Sequence, residues 1–215
     1  MLTDGCRKLP DMRIGGFQKF SLIDYPDFIS AVVFTQGCNF RCPFCHNPEL
    51  VLPDSFGPTI DSEYILNFLN HRKGKIDGVV LTGGEPTLQP DLLSFLKKIK
   101  AMSFMIKLDT NGTRPEVVRN ALDENLLDFI AMDIKAPLNF YSEISGVDVD
   151  TGSITKSIDL ILTSGIDYRF RTTWVPRLHS QKMIRELKLW MQSLQANHLF
   201  QDFVASNILD PTIMR

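Results

Sequence analysis

No stretch of this sequence approaches the roughly 20 apolar residues that a membrane helix needs. The first residues, Met1 to Lys8, reach charges before any apolar core forms, unlike a secretory signal. The expected compartment is therefore the cytoplasm, where thiols are normally reduced. An excess of one charge is missing as well. There are 23 Lys and Arg against 25 Asp and Glu, a net charge of −2. No broad basic field exists to hold nucleic acid. Internal repeats, low-complexity tracts and Ser/Gly-rich linkers are absent, so the 215 residues read as one domain. Hydrophobic residues make up 44% of the chain, enough for a folded core.

Cysteine is scarce, yet its placement is the strongest signal. Of four cysteines, three fall within eight residues, at Cys38, Cys42 and Cys45. The fourth, Cys6, reads as an ordinary thiol in a loose extension over residues 1–11, ahead of a domain over 12–215.

Short apolar runs alternate with helix-period segments. Strands are expected at Ala31–Phe34, Gly78–Leu81, Met105–Asp109, Phe129–Ile134, Tyr168–Val175 and Leu199–Ala205. They are apolar nearly throughout, as parallel strands covered on both faces are. Helices fit between them: from Asp61 as cap to about His71, with Pro90 in the first turn of the next, from Pro115, over Ser153–Ser164 with Gly165 as the stop, and over Ser180–Asn197. Six strands with intervening helices imply an α/β fold with right-handed crossovers. Periodicity leaves open whether the sheet stays flat or curls into a partial barrel. In either case ligands belong at the C-terminal strand ends.

The cysteine segment reads Gly37-Cys38-Asn39-Phe40-Arg41-Cys42-Pro43-Phe44-Cys45-His46. A C-x₃-C-x₂-C loop can fold three thiolates around one centre. That is one ligand short of a closed zinc site and suits a 4Fe–4S cluster with one open iron. His46 as a fourth zinc ligand is the plainer alternative, although adjacent Cys45 and His46 seldom reach the same small ion. Phe44 could simply pack the loop.

Other polar residues follow the expected strand ends. Gly83-Gly84-Glu85-Pro86 is a turn in its plainest reading, with glycines that let backbone approach a ligand. Asp109-Thr110-Asn111-Gly112 reads as an Asx turn, and Asp133 with Lys135 as an exposed ion pair. Alternation puts Arg169, Arg171 and Thr173 on one strand face, where Arg171 needs a carboxylate or peptide partner. His179 reads first as a solvent-exposed loop histidine.

The spacing C-x₃-C-x-aromatic-C, with Phe44 as the aromatic, resembles the signature of radical S-adenosylmethionine (radical SAM) enzymes. That resemblance implies a partial (β/α)₆ TIM-like barrel. The cluster would be held by Cys38, Cys42 and Cys45, with S-adenosylmethionine completing the last iron and Phe44 beside its adenine. Gly83, Gly84 and Glu85 resemble the segment that holds the methionyl amino group. The Asp-Thr-Asn-Gly and Asp-x-Lys segments resemble those of glycyl-radical-enzyme activases. By that likeness Asp109, Thr110 and Asp133 would contact the cofactor or a monovalent cation. Lys135, Arg171 and His179 would contact the cofactor or substrate.

From Ile14-Gly15-Gly16-Phe17 through Ile23-Asp24-Tyr25-Pro26 to Cys45-His46-Asn47-Pro48, the chain resembles the longer form of the anaerobic ribonucleoside-triphosphate reductase activating proteins. Pyruvate formate-lyase activating enzymes share the core motifs. The implied chemistry begins with one electron from reduced flavodoxin or ferredoxin. Cleavage of S-adenosylmethionine to methionine and a 5′-deoxyadenosyl radical follows, and then removal of a hydrogen atom from a glycine of a partner enzyme. A radical SAM enzyme acting on a small molecule, of the deazaguanine-forming type, and a non-catalytic zinc module are the competing readings.

Overall fold

The computed structural model describes residues 12–214. The extension expected at residues 1–11, with Cys6, lies outside the described residues. Seven strands form one sheet in sequence order: β1 (Ile14–Ser21), β2 (Ser30–Thr35), β3 (Gly78–Gly83), β4 (Met105–Thr110), β5 (Phe129–Asp133), β6 (Asp167–Trp174) and β7 (His198–Asp202). From β2 to β7 all neighbours are parallel, and β1 adds to β2 antiparallel. The sequence reading missed β1. Its Gly15-Gly16 pair and the exposed Gln18, Lys19 and Phe20 break any apolar run, as an edge strand permits. At the other edge, β7 stops at Asp202 rather than running on to Ala205.

Among the described residues seven α-helices link the strands: α1 (Pro48–Val51), α2 (Ser62–His71), α3 (Leu92–Lys100), α4 (Pro115–Asp123), α5 (Tyr141–Ser145), α6 (Thr151–Leu162) and α7 (Gln181–Ser193). Their starts follow local chemistry. Asp61, Asp150 and Ser180 accept backbone N–H groups as N-caps of α2, α6 and α7. Pro115 occupies the first turn of α4. Pro90 does not open α3, because Asp91 intervenes as its N-cap.

Strand residues alternate between two environments. Val33, Val79, Leu81, Ile106, Leu108, Ile130, Met132 and Phe170 join the large core with the helices. Val32, Val80, Phe129 and Ala131 face the other way, around Tyr25. Ile23, after β1, and Leu199, on β7, line one cavity although they belong to opposite edges of the sheet. The sheet therefore curls on itself, which resolves what periodicity left open. β1 and β7 are not hydrogen-bonded to each other, so the barrel keeps an open seam. The 22–29 loop tucks Tyr25 into the lower barrel, and the C-terminal strand ends form the rim above.

Candidate active site

A cavity of about 270 Å³ opens at that rim. Twelve of the thirteen candidate residues line it: Cys38, Cys42, Phe44, Cys45, Gly83, Gly84, Glu85, Asp109, Thr110, Asp133, Lys135 and Arg171. They come from the C-terminal halves of five successive parallel strands and the loops after them. The thirteenth, His179, lies behind this wall.

The cysteine loop is fixed from several sides. Arg41 donates to the carbonyls of Cys38 and Phe40, both at 2.7 Å. The Arg41 amide donates to the Ser145 carbonyl, and Phe40 is buried edge-on against Tyr141. The chain's last segment straps the outside: Leu209 N–H donates to Cys45 O, and Asp210 N–H to Pro43 O. His46 belongs to this strap. Its Nε2 lies 2.7 Å from Val204 O and its ring stacks on Phe203.

All three thiols are free. Burial, with the Glu85 charge second, pushes the Cys38 thiol up to about 12. Burial pushes Cys42 up to about 11 against the downward pull of Lys135, and it raises Cys45 too. Among the described residues, no three His, Cys, Asp or Glu side chains converge closely enough for a single metal ion. With His46 bonded to the strap, the loop presents three sulfur donors to the cavity. A cluster with one iron left for a cofactor calls for that donor set.

Glu85 ties the neighbouring loops together. It is 1% exposed. Its Oε1 accepts from Thr87 N and Oγ1 and from Thr110 Oγ1, and its Oε2 accepts from Asn111 N at 2.6 Å. Burial raises its pKa, and these four donors pull it back. The adjacent glycines serve packing first. A Cβ on Gly84 would lie 2.2 Å from Gly37 O, and one on Gly83 2.4 Å from Thr35 N. Their freedom lets the β3 and cysteine loops meet backbone to backbone, through Gly84 N to Thr35 O and Glu85 N to Gly37 O. The expected close approach of a ligand is thus preceded by a close approach of two loops.

On the far wall, charges alternate. Lys107 Nζ lies 2.6 Å from Asp109, Arg171 bridges Asp109 and Asp133, and Lys135 Nζ lies 3.0 Å from Asp133. Burial alone would raise Asp133, but Arg171 and Lys135 hold it well below the usual carboxylate range. The pair expected at the surface, Asp133 with Lys135, is half-buried inside the cavity wall. Lys135 also stands 5.9 Å from the centre of the Phe44 ring.

His179 corrects the reading of a solvent-exposed side chain, since it is 2% exposed. Its Nδ1 accepts from Val175 N–H, so Nε2 carries the hydrogen and donates to Lys135 O at 2.9 Å. Its ring meets the edge of Phe44. Both nitrogens are thus committed to backbone, and the residue braces Lys135 and Phe44 from behind.

Asn111, Thr173 and Gln201 also line the cavity; the sequence reading names the first two without a role and passes over Gln201. Asn111 Nδ2 donates to Asn39 Oδ1 and lies 4.0 Å from Cys38 Sγ. The alternation that singled out Arg171 already placed Thr173 on the same face.

An incomplete α/β barrel with three free thiols and buried ion pairs at its C-terminal rim defines a class of cofactor-dependent enzymes. This chain belongs to the radical SAM superfamily, whose family model matches residues 32–189. Membership implies a 4Fe–4S cluster and S-adenosylmethionine. A protein of Methanocaldococcus jannaschii, provisionally named a glycyl-radical enzyme activating enzyme, is 36% identical over 81% of this chain and 73% of its own length. The pyruvate formate-lyase-activating enzyme of Clostridium pasteurianum is 31% identical over 81% of this chain and 74% of its own. Streptococcus suis SuiB, solved with its precursor peptide SuiA, matches in fold with a TM-score of 0.64 at 15% identity. That match covers 80% of this chain and 38% of SuiB. Among the described residues no helix is long and apolar enough to cross a membrane.

Proposed function

We propose that this chain is an activase that installs a glycyl radical on a partner enzyme, using a 4Fe–4S cluster and S-adenosylmethionine. The observation that carries the reading is the convergence of three free thiols and the charged ends of β4, β5 and β6 on one cavity. The names of the archaeal and clostridial relatives support the activase class.

When bound, the cluster and cofactor supply one-electron cleavage of the cofactor and removal of a hydrogen atom from a glycine Cα. The chain holds and orients them. Cys38, Cys42 and Cys45 are the cluster ligands. Phe44 offers its ring to the adenine, and the Gly83 and Gly84 backbone offers carbonyls to the methionyl ammonium, on a loop that Glu85 keeps rigid. Asp109, Thr110 and Asp133 face the positively charged part of the cofactor or a monovalent cation. Lys135 and Arg171 face carboxylate or peptide oxygens. The C-terminal strap covers the outside of the cysteine loop and keeps solvent from it.

Anaerobic ribonucleoside-triphosphate reductase is the proposed partner, and reduced flavodoxin or ferredoxin the electron donor, in the cytoplasm. A pyruvate formate-lyase-like enzyme is the second candidate, which the clostridial relative favours. The test uses protein purified without oxygen and reconstituted with iron and sulfide. With dithionite, S-adenosylmethionine and a ribonucleotide reductase from the same genome, wild type forms 5′-deoxyadenosine and a glycyl radical visible by electron paramagnetic resonance. Cys42→Ala forms neither. Deoxyadenosine without a radical on either candidate partner overturns the activase reading. Full cleavage by Cys42→Ala overturns the site.

A further inference from the structure

Below the cofactor cavity lies a second one of about 280 Å³, inside the barrel. Asp109, Arg171 and Gln201 line both, so the two chambers share a wall. The lower chamber is framed by Ile23 and Pro26 of the plug loop on one side and by Leu199 of β7 on the other. Those are the two sides of the open seam. Two apolar lining residues, Ile23 and Leu199, are exposed, Ile23 by 89%, and so is the adjoining Leu22.

One charged lining group stands apart. Lys107 and Arg171 are paired with carboxylates, and Asp24 on the plug loop accepts the Ser21 hydroxyl. Arg169 also lines this chamber, yet among the described residues it has neither an ion-pair nor a hydrogen-bond partner. It sits on β6 opposite Ala131, two residues before Arg171, which sits opposite Asp133. Strand geometry places it on the same inner face, about 6.6 Å below the shared wall. A guanidinium carries five N–H donors and no acceptor, and this half-buried one leaves them free for an occupant of the chamber. Phe129, Ala131, Ile23, Pro26 and Leu199 supply the apolar part of the wall, and Gln201 adds an uncharged polar side chain.

We propose that Arg169 is a main-chain anchor for the substrate: it donates to backbone carbonyl oxygens of an extended peptide that enters through the seam. The proposal rests on the activase reading above and adds the residue that grips the peptide. An extended strand presents same-side groups at about 6.6 Å intervals. A carbonyl held at Arg169 therefore puts the residue two positions away level with Asp109 and Arg171, at the floor of the cofactor cavity. Recognition through carbonyls requires no charge on the peptide and no fixed side chain at the gripped position. The exposed apolar rim suits a macromolecular partner more than a small polar metabolite.

The experiment uses the reconstituted holoenzyme and the glycine-loop peptide of the candidate reductase, blocked at both ends and deuterated at the glycine Cα. Two readouts are taken: peptide-free 5′-deoxyadenosine formation with dithionite, and KM for deuterium transfer into 5′-deoxyadenosine. Arg169→Met is expected to leave the first unchanged and to raise the KM by roughly 10- to 100-fold, the loss of charge-assisted hydrogen bonds. Arg169→Lys, which keeps a cation, falls between. Replacing with alanine the peptide side chain two positions from the glycine leaves the ratio of mutant to wild-type KM unaltered. An unchanged KM in Arg169→Met overturns the anchor. Competition by millimolar acetate in wild type but not in Arg169→Met also overturns it, in favour of a carboxylate site. Wild-type cleavage with no deuterium transfer from this peptide or that of a formate-lyase-like enzyme overturns the underlying activase reading instead, so the two failures are distinct.

Discussion

Arg171 Nε lies 2.9 Å from Asp133 Oδ1, joining the end of β5 to the middle of β6 inside the cavity wall. The same guanidinium reaches Asp109 on β4 through NH1 at 3.3 Å. One cation thus serves two carboxylates across three strands, and with Lys135 it holds Asp133 well below the usual carboxylate range. The sequence pointed to this need: an arginine on an inward-facing strand position requires a partner.

Arg171→Met leaves Asp109 to Lys107 alone and Asp133 to Lys135 alone. Removing one member of a buried ion network is costly because the remaining charges stay desolvated. These side chains keep some solvent contact, so the expected loss is roughly 2 to 4 kcal/mol, at or below the range for fully buried pairs. Urea denaturation of the apo protein measures it. A loss indistinguishable from zero would mean that solvent, rather than Arg171, satisfies the two carboxylates.

Glu85→Gln tests the knot between loops. Asn111 N–H and Thr87 N–H each point at a different carboxylate oxygen. An amide offers only one acceptor oxygen, so one backbone donor would face an NH₂ group. Leaving a buried donor unsatisfied costs about 1 to 3 kcal/mol. The variant folds but exchanges the Asn111 or Thr87 amide hydrogen faster, as hydrogen exchange read by mass spectrometry would show. Wild-type protection at both amides would argue against the knot.

Gly84→Ala places a methyl group into Gly37 O, on the backbone that leads into Cys38. Neither loop can yield without moving the cysteine. The expected result is a folded protein that retains little iron and sulfide after reconstitution. Gly57→Ala is the control, since nothing lies within 4 Å of a Cβ there. Equal cluster content in the two variants would show that the loops separate freely.

The sequence revealed most where chemistry is local and least where it depends on distant chain. Three cysteines at fixed spacing, and polar residues following apolar strands, are local patterns, and the cavity collects nearly all of them. β1 was hidden because an edge strand need not be apolar. His179 was misread because exposure of a loop residue depends on what packs over it. Here that is the Lys135 loop and Phe44, both far away in sequence. Glu85 looked like part of a turn because its partners Thr110 and Asn111 lie 25 and 26 residues on. The C-terminal strap over Pro43 and Cys45 has no signal of its own, since backbone hydrogen bonds leave no mark on residue type.

Outside the cavity, His198 makes stability depend on pH. It opens β7, and its Nε2 lies 2.9 Å from Thr172 Oγ1. That hydroxyl gives its hydrogen to Ile134 O, so it accepts from Nε2–H and the neutral ring carries its hydrogen there. Burial lowers the His198 pKa from 6.5 to about 4. The unfolded chain therefore takes up the proton first as pH falls. The contribution of neutral His198 is complete above about pH 6.5 and is lost progressively as pH falls toward about 4. His198→Gln keeps a donor for Thr172 and cannot titrate. Thermal unfolding from pH 7.5 to 4.5 should show the Tm of the variant falling less steeply than that of wild type, with the gap opening below about pH 6.5. Parallel curves would mean that the ring is hydrated in solution and titrates as it does in the unfolded chain.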